Sequence, residues 1–292
     1  MSFAIVTDTS ANLPSYLLKR HSLTVLPFSF YINGSEHVDL DAEDFVAEGF
    51  FAAMRAGVKV TTSQIPPQGY VDCFEPLLQQ GRDVLFVSMS SGISGSYNSA
   101  RIAAEELRET YPDRGVRCVD TGTASLGEGL QVLRAAELRD AGKTIDEAAD
   151  FLAGESRRMC SIFTVDDLKY LRATGRLSGV ATVVGTMLNI NPVLKGNENG
   201  QIVQAGRIRG RRQVIEELAS RYEALAAAPE TQLVGVAHCD CRGDADMLIK
   251  LLHRSRPPKE VLLVDYEPVT GSHIGPGSLA LFFRGDDEVR YR

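Results

Sequence analysis

The chain has 292 residues, 44% of them hydrophobic and 24% charged, with a formal net charge of −7. That length can bury a sizeable core and accommodates two domains as readily as one. The acidic balance argues against general affinity for nucleic acid or an anionic membrane surface, while leaving room for a local basic patch.

Short β-branched runs alternate with helical patterns, which predicts α/β layers. Phe3–Thr7 is expected as the first strand. Leu23–Tyr31 runs into Asn33-Gly34, a hairpin turn signal. Asp41 is expected to cap a helix reaching about Arg55. Pro66-Pro67 breaks the chain before a helix ending near Gly81. Val84–Met89 reads as a buried strand, followed by a Ser/Gly loop and a helix over Tyr97–Glu109. Val116–Val119 is the next strand, ending at Asp120-Thr121. Helical stretches over Leu126–Ala141 and Ile145–Arg158 lead into a strand at Ser161–Val165. A change of domain is placed there, giving domains of residues 1–160 and 161–292. The second half predicts helices near Asp167–Ala173 and Val180–Leu188, then a hairpin around Asn197–Gly200. A long helix is expected over Arg212–Ala228, and another near Asp244–Arg254. Strands are expected at Leu233–His238, Val261–Val264 and Leu279–Phe283.

The apolar runs are too short to span a bilayer. The N-terminus has no basic start and reaches Asp8 at once, which reads as a strand rather than an export signal. Five cysteines form no framework spacing, which points to a reducing cytoplasm.

Three hydroxyl clusters stand out. Ser90-Ser91-Gly92-Ile93-Ser94-Gly95-Ser96 joins a predicted strand to a helix. Glycines permit a tight turn, serines supply hydroxyls, and the helix start offers N–H groups and a positive dipole end. Thr61-Thr62-Ser63-Gln64 precedes the proline break. Thr121-Gly122-Thr123-Ala124-Ser125 follows a strand and opens a helix. Taken singly, each is more often a cap or turn. Together they suggest one crevice at the C-terminal edge of a sheet, where open α/β sheets bind ligands. Gly271-Ser272-His273-Ile274-Gly275-Pro276-Gly277 reads as a loop holding a histidine. Arg176, in Thr174-Gly175-Arg176, suits either a buried anion or a helix end.

Other signals fail. Gly142-Lys143-Thr144 resembles the end of a phosphate-binding loop, but Glu137 stands where that loop needs its first glycine. Ser94 is followed directly by Gly95, so it is not in a nucleophile elbow. His238-Cys239-Asp240-Cys241 lacks a second ligand pair at suitable spacing, so no metal is expected. Arg207, Arg209 and Arg211, with Arg212, form the basic cluster; at strand spacing the first three share one face. Such a face is either solvated surface or a docking surface.

The ordered set of motifs resembles the DegV family of bacterial fatty-acid-binding proteins over nearly the whole chain, about residues 3–284. The matching positions begin at Thr7-Asp8-Thr9-Ser10, Thr62-Ser63-Gln64, Ser90-Ser91-Gly92-Ile93-Ser94-Gly95 and Asp120-Thr121. They continue at Asp167-Leu168-Lys169-Tyr170-Leu171, Gly175-Arg176 and the segment Gly271–Gly277. The sequence departs from the family where Ile65-Pro66-Pro67 follows Gln64, and where Thr174 stands before Gly175-Arg176.

The resemblance implies an α/β protein with two domains, each a mostly parallel sheet flanked by helices. It implies one long-chain, palmitate-like fatty acid in an apolar tunnel. Its carboxylate is held by Thr62, Ser94 and nearby backbone N–H groups such as Gly95, with His273 close by. Ser125 and Arg176 complete the expected ligand set. It further implies a binder with no cofactor and no catalysis of its own, presenting the fatty acid to a separate kinase. Arg207 and Arg209 are the expected partner contacts. The competing readings are an acyl hydrolase or acyltransferase using Ser94 and His273, and a phosphate- or nucleotide-binding regulator using the same loop.

Overall fold

Ala4–Asp8 forms strand β1, buried along its whole length, which is why Phe3–Val6 reads as an apolar run instead of an alternating one. The computed structural model describes residues 3–38, 45–178, 189–286 and 289–291. The chain divides into two compact units, one of Met1–Phe45 with Val60–Ser156, the other of Val46–Lys59 with Arg157–Arg292. The second unit thus takes in Val46–Lys59 as well as the chain from Arg157 onward.

In the first unit β1 is followed by a 3-10 turn (Thr9–Ala11), α1 (Ser15–Arg20), β2 (Thr24–Leu26), β3 (Ser29–Ile32) and β4 (Ser35–Val38). α2 (Ala47–Arg55) belongs to the second unit. The first unit resumes with β5 (Val60–Ser63), α3 (Pro67–Gln79), β6 (Val84–Ser88) and α4 (Ser96–Thr110). It closes with β7 (Val116–Asp120), α5 (Leu126–Asp140) and α6 (Ile145–Glu155). Among the described residues β2-β1-β6-β7 form one sheet, with every neighbouring pair parallel. β4-β3-β5 form a small antiparallel sheet. Leu23–Tyr31, read as one region, is therefore two strands in two sheets. Pro27 interrupts it, and the Phe28 amide is diverted to Thr9 Oγ1 at 3.1 Å. Asn33 and Gly34 both take positive φ, as the tight hairpin turn requires. Tyr70, Phe74 and Phe86 pack ring against ring to pin α3 onto the sheet.

The second unit contains β8 (Met159–Thr164), α7 (Lys169–Ala173), β9 (Ile190–Gly196), β10 (Ile202–Arg209) and α8 (Arg211–Leu225). It continues through β11 (Leu233–His238), α9 (Arg242–Ser255), β12 (Glu260–Asp265), α10 (Pro268–Ile274) and β13 (Leu279–Arg284). The strand order is β10-β9-β8-β13-β11-β12. Only β11 and β12, joined through α9, are parallel within it; the other neighbours are antiparallel. The mostly parallel sheet expected here is thus corrected. β9 and β10 are linked by a turn too short for a crossover helix, and β13 inserts antiparallel between β8 and β11. Tyr222 of α8 meets Phe283 of β13 edge to face, with centroids 5.1 Å apart.

The cap at Asp41 and the helix near Val180–Leu188 lie outside the described residues. Arg211 does not share a strand face with Arg207 and Arg209. Gly210, at φ 97°, ends the strand path and Arg211 opens α8. No helix among the described residues is long and apolar enough to cross a membrane.

Candidate functional site

Thr61-Thr62-Ser63 is strand β5, paired with β3 so that Thr62 sits opposite Phe30. The hydroxyl cluster is thus presented on a rigid edge. Gln64, just beyond the strand, lies across the Ser/Gly loop. A Cβ added to Gly95 would come within 2.2 Å of Gln64 Oε1. A side chain at Gly95 therefore requires Gln64 to move, while the backbone there has an ordinary helical φ of −77°. The structure thereby brings two of the sequence clusters together within the first unit.

The Ser/Gly loop closes on itself. Ser94 N donates to Ser90 O at 3.1 Å, and Gly92 N to Ser90 Oγ at 3.0 Å. Ser91 N and Gly122 N both point at the Asp120 carboxylate, at 3.3 and 2.8 Å. Those two donors are therefore engaged, as is Ser94 N, and α4 begins at Ser96 just beyond Gly95. Ser94 Oγ accepts from Ser96 N at 3.2 Å and lies 3.1 Å from Ser96 Oγ, to which its hydroxyl donates.

The third cluster is built into the core. Thr121 Oγ1 donates to Ser88 O at 2.8 Å, tying the end of β7 to the end of β6. Ser125, 1% exposed, accepts on its hydroxyl from Asn12 Nδ2 at 3.1 Å. It precedes α5 at φ 53° and ψ −142°, a strained backbone for a residue with a side chain.

In the second unit the predicted histidine loop is a helix. Glu267 caps α10 by accepting from the Val269 and Thr270 amides. The glycines make room for protein side chains. A Cβ at Gly271 would lie 2.8 Å from the Phe51 ring, and one at Gly275 would lie 2.1 Å from the Tyr170 ring. His273 is half-buried near the C-terminal end of α10. Burial, and then the nearby Arg176 cation, pull its pKa down to about 4, so its imidazole is neutral at neutral pH. Arg176 is half-buried and donates to Thr174 O, the carbonyl just past α7.

Arg211 serves the same region. It donates to Asp244 Oδ2 at 2.8 Å, to Asp166 Oδ1 at 3.2 Å and to Gly277 O at 2.6 Å. It thus fastens α8 to the turn that follows α10. Arg207 and Arg209 remain on β10, both exposed.

Sequence reading missed one cluster. Asp8 and Glu128, both buried, each meet the hydroxyl of buried Ser10. Thr7-Asp8-Thr9-Ser10 was visible as a motif, but nothing in the sequence links it to an acid 120 residues away on α5. Cys241, from the rejected metal motif, donates to Ser278 O at 3.3 Å. The described residues contain no cluster of His, Cys, Asp and Glu fit to hold a metal ion.

A family model described as "Uncharacterised protein, DegV family" matches residues 2–286. The chain belongs to the DegV family. A DegV domain-containing protein of Clostridium perfringens is 36% identical over 97% of this chain and 98% of its own. Among solved structures, a DegV family protein from Thermus thermophilus, described by its fatty acid binding, superposes with a TM-score of 0.88. It is 30% identical and the match covers 98% of this chain and 100% of that one. DegV of Bacillus subtilis, described as a fatty acid binding protein, gives a TM-score of 0.84 at 25% identity, over 98% and 100% of the two chains. The α/β DegV fold read from the motifs is therefore the fold the chain has.

Proposed function

We propose that this DegV protein binds one long-chain fatty acid. The observation that carries this reading is the near-complete likeness to the Thermus thermophilus protein described by its fatty acid binding. The contact of Gln64 with Gly95 supports the head-group assignment, because it joins the Thr62 strand to the Ser94 loop. In this reading Thr62, Ser94 and the Gly95 end of the loop hold the carboxylate. Ser125 shapes the adjoining loop; within the second unit, Arg176 and neutral His273 are the proposed ligand residues. Several neutral donors satisfy a carboxylate without a strongly basic site. The tail supplies most of the affinity. Each buried methylene contributes roughly 0.8 kcal/mol, so a palmitate-like chain of about fourteen contributes on the order of 11 kcal/mol gross.

The protein binds and does not itself catalyse, in our reading. The Ser94 hydroxyl donates to Ser96 Oγ and not to a base, which is unlike an activated nucleophile. We further propose that it presents its ligand in the cytoplasm to a separate fatty acid kinase, with exposed Arg207 and Arg209 meeting an acidic partner surface. Five free cysteines suit a reducing compartment. Calorimetric titration with palmitate and with methyl palmitate tests the head-group assignment. Palmitate should bind at one per chain and the ester at least tenfold more weakly, about 1.4 kcal/mol. Equal affinity for the two would remove Thr62 and Ser94 from the carboxylate.

A further inference from the structure

Two buried carboxyls meet on a single hydroxyl in the first unit. Asp8 ends β1 and is 1% exposed; Ser10 and Glu128, the latter in the first turn of α5, are both 0% exposed. Ser10 Oγ is in hydrogen-bond contact with Asp8 Oδ1 and lies 2.7 Å from Glu128 Oε2. A hydroxyl has one hydrogen to give. With both carboxyls ionised, one of these contacts would set acceptor against acceptor. Thr7 meets the same difficulty, since Val87 O and Glu128 Oε1 both lie 3.0 Å from its Oγ1. One proton on the pair resolves the contest at Ser10, while Thr7 gives its hydrogen to one of its two acceptors. The protonated carboxyl donates to Ser10 Oγ, and Ser10 donates to the other carboxylate.

The surroundings favour keeping that proton. The hydroxyls of Thr7 and Ser10 meet the pair, and the Tyr70 phenol of α3 lies close enough for both carboxyls to raise its pKa. Burial raises the Asp8 pKa to about 7, against the lowering effect of the Ser10 hydrogen bonds.

The pair also ties two segments of the proposed site together. Asp8 caps the 3-10 turn by accepting from Ser10 N at 2.9 Å. At the end of that turn Asn12 holds the strained Ser125 through its hydroxyl. Gly129 lets the turn lie against α5; a Cβ there would be 2.4 Å from Ala11 O. We propose that Asp8 and Glu128 are positioning residues, sharing one proton through Ser10 to hold the Thr121–Ser125 loop in its binding shape. The consequence for binding rests on the fatty-acid reading; the shared proton does not.

The test is palmitate affinity of the full chain from about pH 6 to about pH 9, for the wild type and for Glu128→Gln, whose neutral amide donates as the acid would. The wild type should weaken on the order of tenfold as the shared proton leaves, while Glu128→Gln holds a flat profile. A flat wild-type profile, or two profiles that fall in parallel, would overturn the proposal. If the wild type binds no palmitate at any pH, the fatty-acid reading fails instead. Infrared spectroscopy of the wild type then decides the proton, independently of ligand and of how the variant folds. A protonated-carboxyl band should be present at neutral pH and vanish at high pH; its absence at neutral pH overturns the pair.

Discussion

Gln64 and Gly95 cannot both keep their places if Gly95 gains a side chain. The clash is with the far end of an exposed glutamine, which can swing aside. Gly95→Ala should therefore cost less than about 1 kcal/mol of stability by thermal melting. It should nonetheless weaken palmitate binding several-fold by calorimetry, because Gln64 no longer lies across the loop. In the proposed site Thr62→Ala and Ser94→Ala each remove a hydroxyl that turns to the carboxylate on binding, and should weaken binding by about 1–3 kcal/mol. Affinity unchanged in the double variant would place the carboxylate elsewhere. Arg211 carries a different burden. Arg211→Met leaves Asp166 and Asp244 without their shared cation, and should lower stability by about 1–3 kcal/mol. Denaturant unfolding measures it, and an unchanged midpoint would mean solvent replaces the arginine at no cost.

At the level of elements, local chemistry was readable and distant pairing was not. Asn33-Gly34 marked its hairpin, Pro66-Pro67 marked the start of α3, and the buried run of β6 read directly. α10 was hidden because Gly271 and Gly275 look like loop residues. The glycines are there for the Phe51 and Tyr170 rings, contacts that no local pattern records. The same contact with Phe51 shows why Val46–Lys59 sits with the second unit. The three hydroxyl clusters were found as motifs, but the approach of Gln64, just beyond β5, to Gly95 of the Ser/Gly loop is a contact no local pattern records. The strand face of three arginines lost Arg211 because Gly210 turns the chain into α8. Arg207→Glu with Arg209→Glu on β10 should leave palmitate affinity intact and reduce phosphorylation of the bound ligand by a fatty acid kinase. The unmutated reaction should slow with added salt. Phosphorylation that survives the reversal would make β10 ordinary surface.

Across the whole molecule, two buried groups tilt stability with pH in opposite directions. Asp8 has its pKa raised, so the folded state holds a proton the unfolded chain releases. Its contribution is fully present below about pH 4 and is lost as pH rises to about 7. His273 has its pKa lowered, so the unfolded chain gains a proton the folded state refuses. Its contribution is present above about pH 6.5 and is lost as pH falls to about 4. Asp8→Asn should remove the first slope and His273→Asn the second, read from denaturant midpoints across that range. Neither slope changing would mean both groups titrate as they do in water.

The central claim is that this chain holds a fatty acid, and denaturing extraction of protein purified from a bacterial host, followed by mass spectrometry, tests it most directly. The account predicts a saturated or monounsaturated fatty acid of roughly sixteen to eighteen carbons at near one per chain. Protein that yields no lipid and also fails to take up added palmitate would contradict it.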